Sequence, residues 1–213
     1  MLKFFKIIKI LFRAKIIFVK PNQYPIIIYD DVNDMFSNVL KKRQFIPLQV
    51  REYTINTIYL NYKIIQNSIK IYIENLRLHK INFYTSYLIS VILEINPKIV
   101  LTAIDNSIKF SEIAKILHKK ICFIAVQNAA RYDYDKFALL FKKKIIQKNL
   151  NEKYFIPHYY CFGEFEKKNC KKNNIKVKNF YCYGSLKLSN YIKKNKLSKK
   201  IKKKYDIALI SEA

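Results

Sequence analysis

Apolar and polar positions divide this chain into short greasy runs separated by amphipathic stretches. Residues 97–105 (PKIVLTAID) and 120–128 (KICFIAVQN) carry Ile, Val, Leu, Phe and Ala without alternation, the pattern of a strand covered on both faces. Between them, Ile108, Phe110, Ile113, Ala114, Ile116 and Leu117 recur near a helical period. Strand, helix and strand with short connections predict a βαβ unit with a right-handed crossover. Residues 25–31 (PIIIYDD) predict the first parallel strand, and Val32, Met35, Phe36, Val39 and Leu40 a helix after it. Residues 45–52 (FIPLQVRE) predict a shorter strand, placed at a sheet edge by Pro47, which has no N–H for a ladder.

The stretch 54–96 has no Gly or Pro and predicts two or three helices. One stripe (Ile55, Ile58, Tyr59, Tyr62, Ile65, Ile69) and another (Tyr84, Tyr87, Leu88, Val91, Ile92, Ile95) are both expected to pack into the core. Residues 132–149 read as a helix with a basic face from Lys142 to Lys148. Two further runs, 158–166 (HYYCFGEFE) and 179–187 (NFYCYGSLK), share Tyr–Cys–aromatic–Gly and contain the chain's two glycines, Gly163 and Gly184. In a chain so poor in glycine, each is expected to mark a position that excludes a Cβ, through positive φ or close approach. With a helix and turn between them, they form a second βαβ-like unit. The predicted class is α/β, a Rossmann-like, mostly parallel sheet flanked by helices.

In such sheets ligands sit beyond the carboxyl ends of the strands. The residues expected there are Asp105, Asn106, Gln127, Asn128 and Arg131, joined by Gly163-Glu164 and Gly184-Ser185. Asp105 and Asn106 also have the chemistry to cap the helix that follows, and Glu164 to sit at a helix's positive end. Arg51-Glu52 is read as a structural pair, against the alternative of an exposed Arg51 holding an anion. Neither G-x-G-x-x-G nor a P-loop occurs, so no nucleotide fingerprint is present.

Composition bounds this picture. A chain of 213 residues, 51% hydrophobic, can bury a large core and is not globally disordered. A net charge of +26 invites a polyanion partner, but the excess is almost all Lys in a chain rich in Ile, Asn, Tyr and Phe, the profile of an AT-rich genome. Arg, the better phosphate fork, occurs only at Arg13, Arg43, Arg51, Arg77 and Arg131. A solvated basic surface is therefore favoured over a nucleic-acid site. Cys122, Cys161, Cys170 and Cys182 form no C-x-x-C pair and read as small buried hydrophobes of a reducing compartment. The three histidines lack ligand spacing, which argues against zinc.

Four divisions are expected: 1–24, a basic amphipathic segment; 25–188, the Rossmann-like domain; 189–204, an exposed helix or linker; and 205–213, a strand opening a further domain. Drawn as a helix, residues 1–20 put Phe4, Ile7, Ile8, Leu11 and Phe12 on one face flanked by Lys. That face fits either an anionic membrane surface or the domain's own core; charge interrupts it too often for a bilayer span.

The segments PKIVLTAIDNSIKFSEIAK, IAVQNAAR, YYCFGEFE and FYCYGSLK, with Val50-Arg51-Glu52 and Ile55-Asn56 in support, resemble the amino-terminal half of bacterial surface-carbohydrate biosynthesis proteins. These are related in layout to two-domain (GT-B) glycosyltransferases and glycerophosphotransferases. The resemblance runs from about residue 25 to the end; Ala129 departs from it, standing where such proteins often have Gly. It implies a sugar or polyol acceptor on this domain, with the nucleotide-activated donor bound by a second domain that this chain lacks. It also implies no cofactor of its own, little transfer activity alone, and a cytoplasmic location, peripheral on the inner membrane face. Asp105 or Glu164, with His158 behind them, would deprotonate the acceptor hydroxyl, while Asn106, Gln127, Asn128 and Arg131 would bind sugar hydroxyls or a phosphate. The alternatives are a basic α/β module holding RNA or another polyanion, and a membrane-associated scaffold.

Overall fold

The computed structural model describes residues 10, 12–31, 35–40, 43–76, 81–129, 154–172 and 175–194. Among these, six strands form one sheet: β2 (Ile26–Tyr29), β3 (Phe45–Leu48), β5 (Ile99–Thr102), β6 (Cys122–Val126), β7 (Phe155–Cys161) and β8 (Lys176–Cys182). Their order is β3-β2-β5-β6-β7-β8, and every adjacent pair is parallel. The fold is thus α/β with a Rossmann-like layout. A smaller parallel pair joins β1 (Lys15–Ile17) to β4 (Thr57–Tyr59).

Both faces of the central strands are covered, which is why their sequences run apolar without alternation. On the first face, Ile27, Tyr29, Val100, Phe123, Ala125, Tyr159 and Cys161 belong to one large core. It is closed by α2 (Tyr62–Leu76), α3 (Phe83–Ile95), α4 (Ile108–Leu117) and α5 (Glu164–Lys172). The opposite face presents Ile26, Ile28, Ala103 and Val126 to a smaller cluster with Met35, Phe36 and Leu40. Among the described residues its cover is α1 (Ser37–Leu40), and Leu186 of α6 (Leu186–Lys194). A constant crossover hand produces this split, because β2→β3 steps one way along the sheet and the later connections step the other.

Local chemistry fixes the helix ends. Asn82 caps α3 by accepting from the Thr85 N–H at 2.9 Å, and Asn96 ends it in the left-handed region at φ 54°. Ser107 caps α4 through the Phe110 N–H at 3.2 Å. Neither Asp105 nor Asn106 takes that role.

Several expectations hold. Pro47 lies on the edge strand β3, both βαβ units are present, and the stripe of Leu88, Val91, Ile92 and Ile95 is buried. Three need correction. Residues 15–17, drawn as helix, form β1, because they find an extended partner in β4. The stripe from Ile55 to Ile69 does not pack as one unit. Ile55 and Tyr59 are buried, whereas Tyr62 is 77% exposed, with Ile65, Ile69 and Ile73 also at the surface. The helix begins only at Tyr62, so the earlier phase is lost, and α2 turns Ile64 and Ser68 inward while packing on α3. Finally, the helix expected from Ser189 starts at Leu186 and is tied back by Asn190 Nδ2 donating to the Met35 carbonyl at 2.9 Å. The helix expected at 132–149 and the strand at 205–213 lie outside the described residues.

Candidate functional site

With all six strands parallel, their carboxyl ends share one rim. Strand order reverses between β2 and β5, since the chain leaves β2 for β3 and later enters β5 on β2's other side. That reversal is where open α/β sheets form their ligand crevice.

Beyond β2, Asp30 is 1% exposed and sits at φ 56°, a left-handed conformation that side chains other than Gly, Asn and Asp seldom adopt. Its N–H donates to the Leu48 carbonyl at 2.9 Å. Its carboxylate meets Arg51 Nε at 2.5 Å and accepts from Thr54 Oγ1 at 3.4 Å. The Arg51 guanidinium lies 5.0 Å from the Tyr53 ring centroid and bonds the Tyr53 hydroxyl through Nη1. Arg51, expected to pair with Glu52, pairs instead with Asp30, and its side chain stays 32% exposed. The charge of a buried carboxylate is thereby balanced by a cation that still reaches solvent.

Beyond β5, Thr102 Oγ1 accepts the Ile104 N–H at 3.0 Å and turns the chain outward. Asp105 is buried, and the Tyr159 hydroxyl of β7 donates to its Oδ2 at 2.8 Å. This bond reaches over β6 and fixes the carboxylate direction. Asn106 is exposed, and its carbonyl accepts from the Tyr154 hydroxyl at 3.2 Å.

Beyond β6, Gln127 is buried and committed to the backbone: Oε1 accepts the Phe162 N–H at 2.8 Å, and Nε2 donates to the Ala129 carbonyl at 2.9 Å. It straps the end of β6 to the end of β7. Asn128 beside it is half-buried, and Arg131 lies outside the described residues.

Beyond β7, Gly163 corrects an expectation. Its φ is not positive, and a Cβ there would have open space around it. Glu164 opens α5, where a carboxylate suits the helix dipole. It is exposed and pairs with Lys167 at 3.1 Å; that hydrogen bond holds its carboxyl below the ordinary range, which weakens it as a base. The Cys161 and Cys182 sulfurs lie 3.6 Å apart, and burial pushes the Cys161 thiol up to about 12, so it stays protonated and a poor nucleophile. Beyond β8, Gly184 does require glycine's freedom, at φ 82°. Ser185 Oγ accepts the Leu188 N–H at 3.2 Å and caps α6.

The described candidates therefore line one rim in strand order. Asp105 is bonded to Tyr159 and Gln127 to Phe162, and Gln127 and Ser185 hold structure with the groups a ligand would use. His158 lies within β7, its ring 3.1 Å from the Tyr181 hydroxyl and short of the rim. Sequence reasoning missed Asp30, Arg51 and Thr54 as a constellation. The signal was present in the two carboxylates closing PIIIYDD, but strand order was needed to see that they flank the reversal.

A hollow lined by Asn22, Gln23, Tyr24, Arg43, Gln44 and Phe45 opens at the amino ends of β2 and β3, away from the rim. Among the described residues, no three His, Cys, Asp or Glu side chains group as a metal centre, and no helix is long and apolar enough to cross a membrane. Comparisons with family models, curated proteins and solved structures find no match to this chain.

Proposed function

We propose that this chain is the acceptor-side domain of a transferase that joins an activated sugar or polyol phosphate to a growing surface polysaccharide, working at the inner face of the cell membrane. The observation that carries this reading is the buried Asp105 carboxylate, oriented by Tyr159 at the carboxyl rim. A general base needs a fixed direction toward the proton it removes, and this bond supplies one. Asp105 is the base in preference to Glu164, whose carboxyl is weakened by Lys167. Arg51, half spent on Asp30, meets the anionic part of the acceptor across the β2/β5 reversal. The donor nucleotide binds a separate domain, in keeping with the absence of a nucleotide fingerprint here.

The test is ligand-observed NMR of the full chain against a panel of mono- and disaccharides and glycerol 3-phosphate. Asp105→Asn keeps an acceptor for Tyr159 and removes only the charge. The reading predicts millimolar binding of at least one panel member, weakened severalfold by Asp105→Asn and by Arg51→Gln. Binding indifferent to both substitutions, or none at all, contradicts it.

A further inference from the structure

The repeated Tyr–Cys–aromatic–Gly pattern puts a cysteine at the same point of two neighbouring strands. Cys161 of β7 and Cys182 of β8 are register partners, and their sulfurs lie 3.6 Å apart on the face covered by α5. Backbone holds that spacing, since the Tyr183 N–H donates to the Cys161 carbonyl at 3.2 Å just beyond. Adjacent strands run about 4.8 Å apart, within the roughly 4.4–6.8 Å between Cα atoms that a disulfide spans. A bond needs the sulfurs to close from 3.6 Å to about 2.05 Å. Each thiol also has an acceptor away from the other: Cys182 Sγ reaches Glu164 Oε1 at 3.5 Å, and Cys161 Sγ the Gly163 carbonyl at 3.6 Å. Neither proton has to stand between the sulfurs.

Packing accounts for half of this pair. Cys161 is fully buried in the larger core, where a small apolar side chain fits. Cys182 is half-buried on β8, the outermost strand of the sheet among the described residues, and none of the seven side chains of β8 is buried. Little apolar burial therefore holds β8, and α6, which follows it, reaches back to Met35 through Asn190. A covalent link at the end of β8 would fasten both elements to β7, whose Ile156, Tyr159 and Cys161 are core. The other cysteines are placed differently. Cys122 begins β6, at the opposite end of the parallel strands, and Cys170 is buried near the end of α5.

We propose that Cys161 and Cys182 form a reversible dithiol–disulfide clasp, which a hydroperoxide closes and a small thiol reopens. Cys182, the more accessible of the two, reacts first. Its thiolate, having lost a proton to solvent, attacks the peroxide; the O–O bond breaks, leaving a sulfenic acid and a hydroxide that recovers a proton as water. Cys161 then attacks that sulfur; the S–O bond breaks, and the departing hydroxide takes the Cys161 proton as a second water. Two thiols and one peroxide thus give one disulfide and two waters. Two equivalents of a small thiol reverse it by exchange and leave as their own disulfide. Burial pushes the Cys161 thiol up to about 12, which makes it slow toward free oxidants, but against Cys182 it reacts within the molecule. Lys167, paired with Glu164, offsets that carboxylate's charge beside the reacting sulfur. The clasp is independent of the transferase reading, since Asp105 and Arg51 take no part in it.

The experiment treats the reduced full chain with hydrogen peroxide, caps the remaining thiols with N-ethylmaleimide in denaturant, and maps peptides without reduction. The expected product is a single chain with a Cys161–Cys182 link, lighter by two hydrogens, with Cys122 and Cys170 capped and the link lost in dithiothreitol. Its thermal midpoint should lie about 5–10 °C above that of the reduced chain. Cys182→Ser should show neither link nor shift, and folded Cys161→Ala should stop at a Cys182 sulfenic acid that dimedone labels. If Cys161→Ala does not fold, the map of the unaltered chain and Cys182→Ser decide alone. A link from Cys161 to Cys170, links only between chains, no link at all, a link without a thermal shift, or a folded Cys161→Ala chain that dimedone does not label would overturn the proposal.

Discussion

The two faces of the sheet are built from the same strands and do different work. One packs Tyr29, Phe110 and Phe123 edge to face, at 5.6 Å and 5.5 Å, beneath the long helices. The other packs a smaller set of apolar side chains with a four-residue helix and a returning one, then runs out into partly exposed tyrosines. Aromatic residues are abundant on both, so composition alone does not separate them. The difference is geometry. Edge-to-face rings buried among aliphatics interlock a core, whereas the rings at the β7–β8 edge touch one another and leave Tyr183 in solvent. Burial is thereby concentrated on one side of the sheet among the described residues.

The largest effect that would sharpen this contrast is expected at Phe123. Removing its ring from the fully buried face should cost about 3–5 kcal/mol, whereas Tyr183→Ala, at an exposed site, should stay within about 0.5 kcal/mol. Urea unfolding of the two variants measures both. Similar losses would show that the tyrosines of the β7–β8 edge form a second core and would break the comparison.

A smaller effect separates the two glycines that the sequence presents as equivalents. Gly184→Ala forces a Cβ into φ 82° and should cost about 1–2 kcal/mol. Gly163→Ala meets open space at ordinary φ and should be neutral, or stabilising by a few tenths of a kcal/mol, by restricting the unfolded chain. Paired thermal melts decide it. An equal loss at both sites would mean that Gly163 carries a constraint its backbone does not show.

These two positions also show how far sequence reaches. The shared Tyr–Cys–aromatic–Gly pattern correctly announced two parallel strands with matching ends, because a strand's composition reflects its own burial on both faces. It could not say which glycine is conformationally required, since φ depends on where the following helix must go: α5 continues directly from Gly163, while α6 has to double back. The rim was legible for the same reason as the strands. Asp105, Gln127, Glu164 and Ser185 each follow an apolar run, and parallelism does the rest.

What sequence could not supply was the lateral order of the strands, and with it the reversal that sets the ends of β2 and β5 side by side and pairs Asp30 with Arg51. Neighbour relations across a sheet are settled by contacts far apart in the chain. The exposed stripe on α2 failed differently. Its period was sound, but Ile64 and Ser68 outcompeted Ile65 and Ile69 for the inner position once the helix began at Tyr62.

The account depends most on one geometric claim, that all these strands run the same way and gather their polar ends on a single rim. Pulsed electron-resonance distances test it directly, with labels carried on unnatural amino acids so that the four cysteines remain. A pair at Asn106 and Glu164, both exposed at carboxyl ends two strands apart, is expected at roughly 10–15 Å between backbones. A pair at Asn106 and Lys176, the amino end of β8, is expected at roughly 25 Å. A longer distance for the first pair than for the second would place the candidate residues at opposite ends of the sheet and contradict the account.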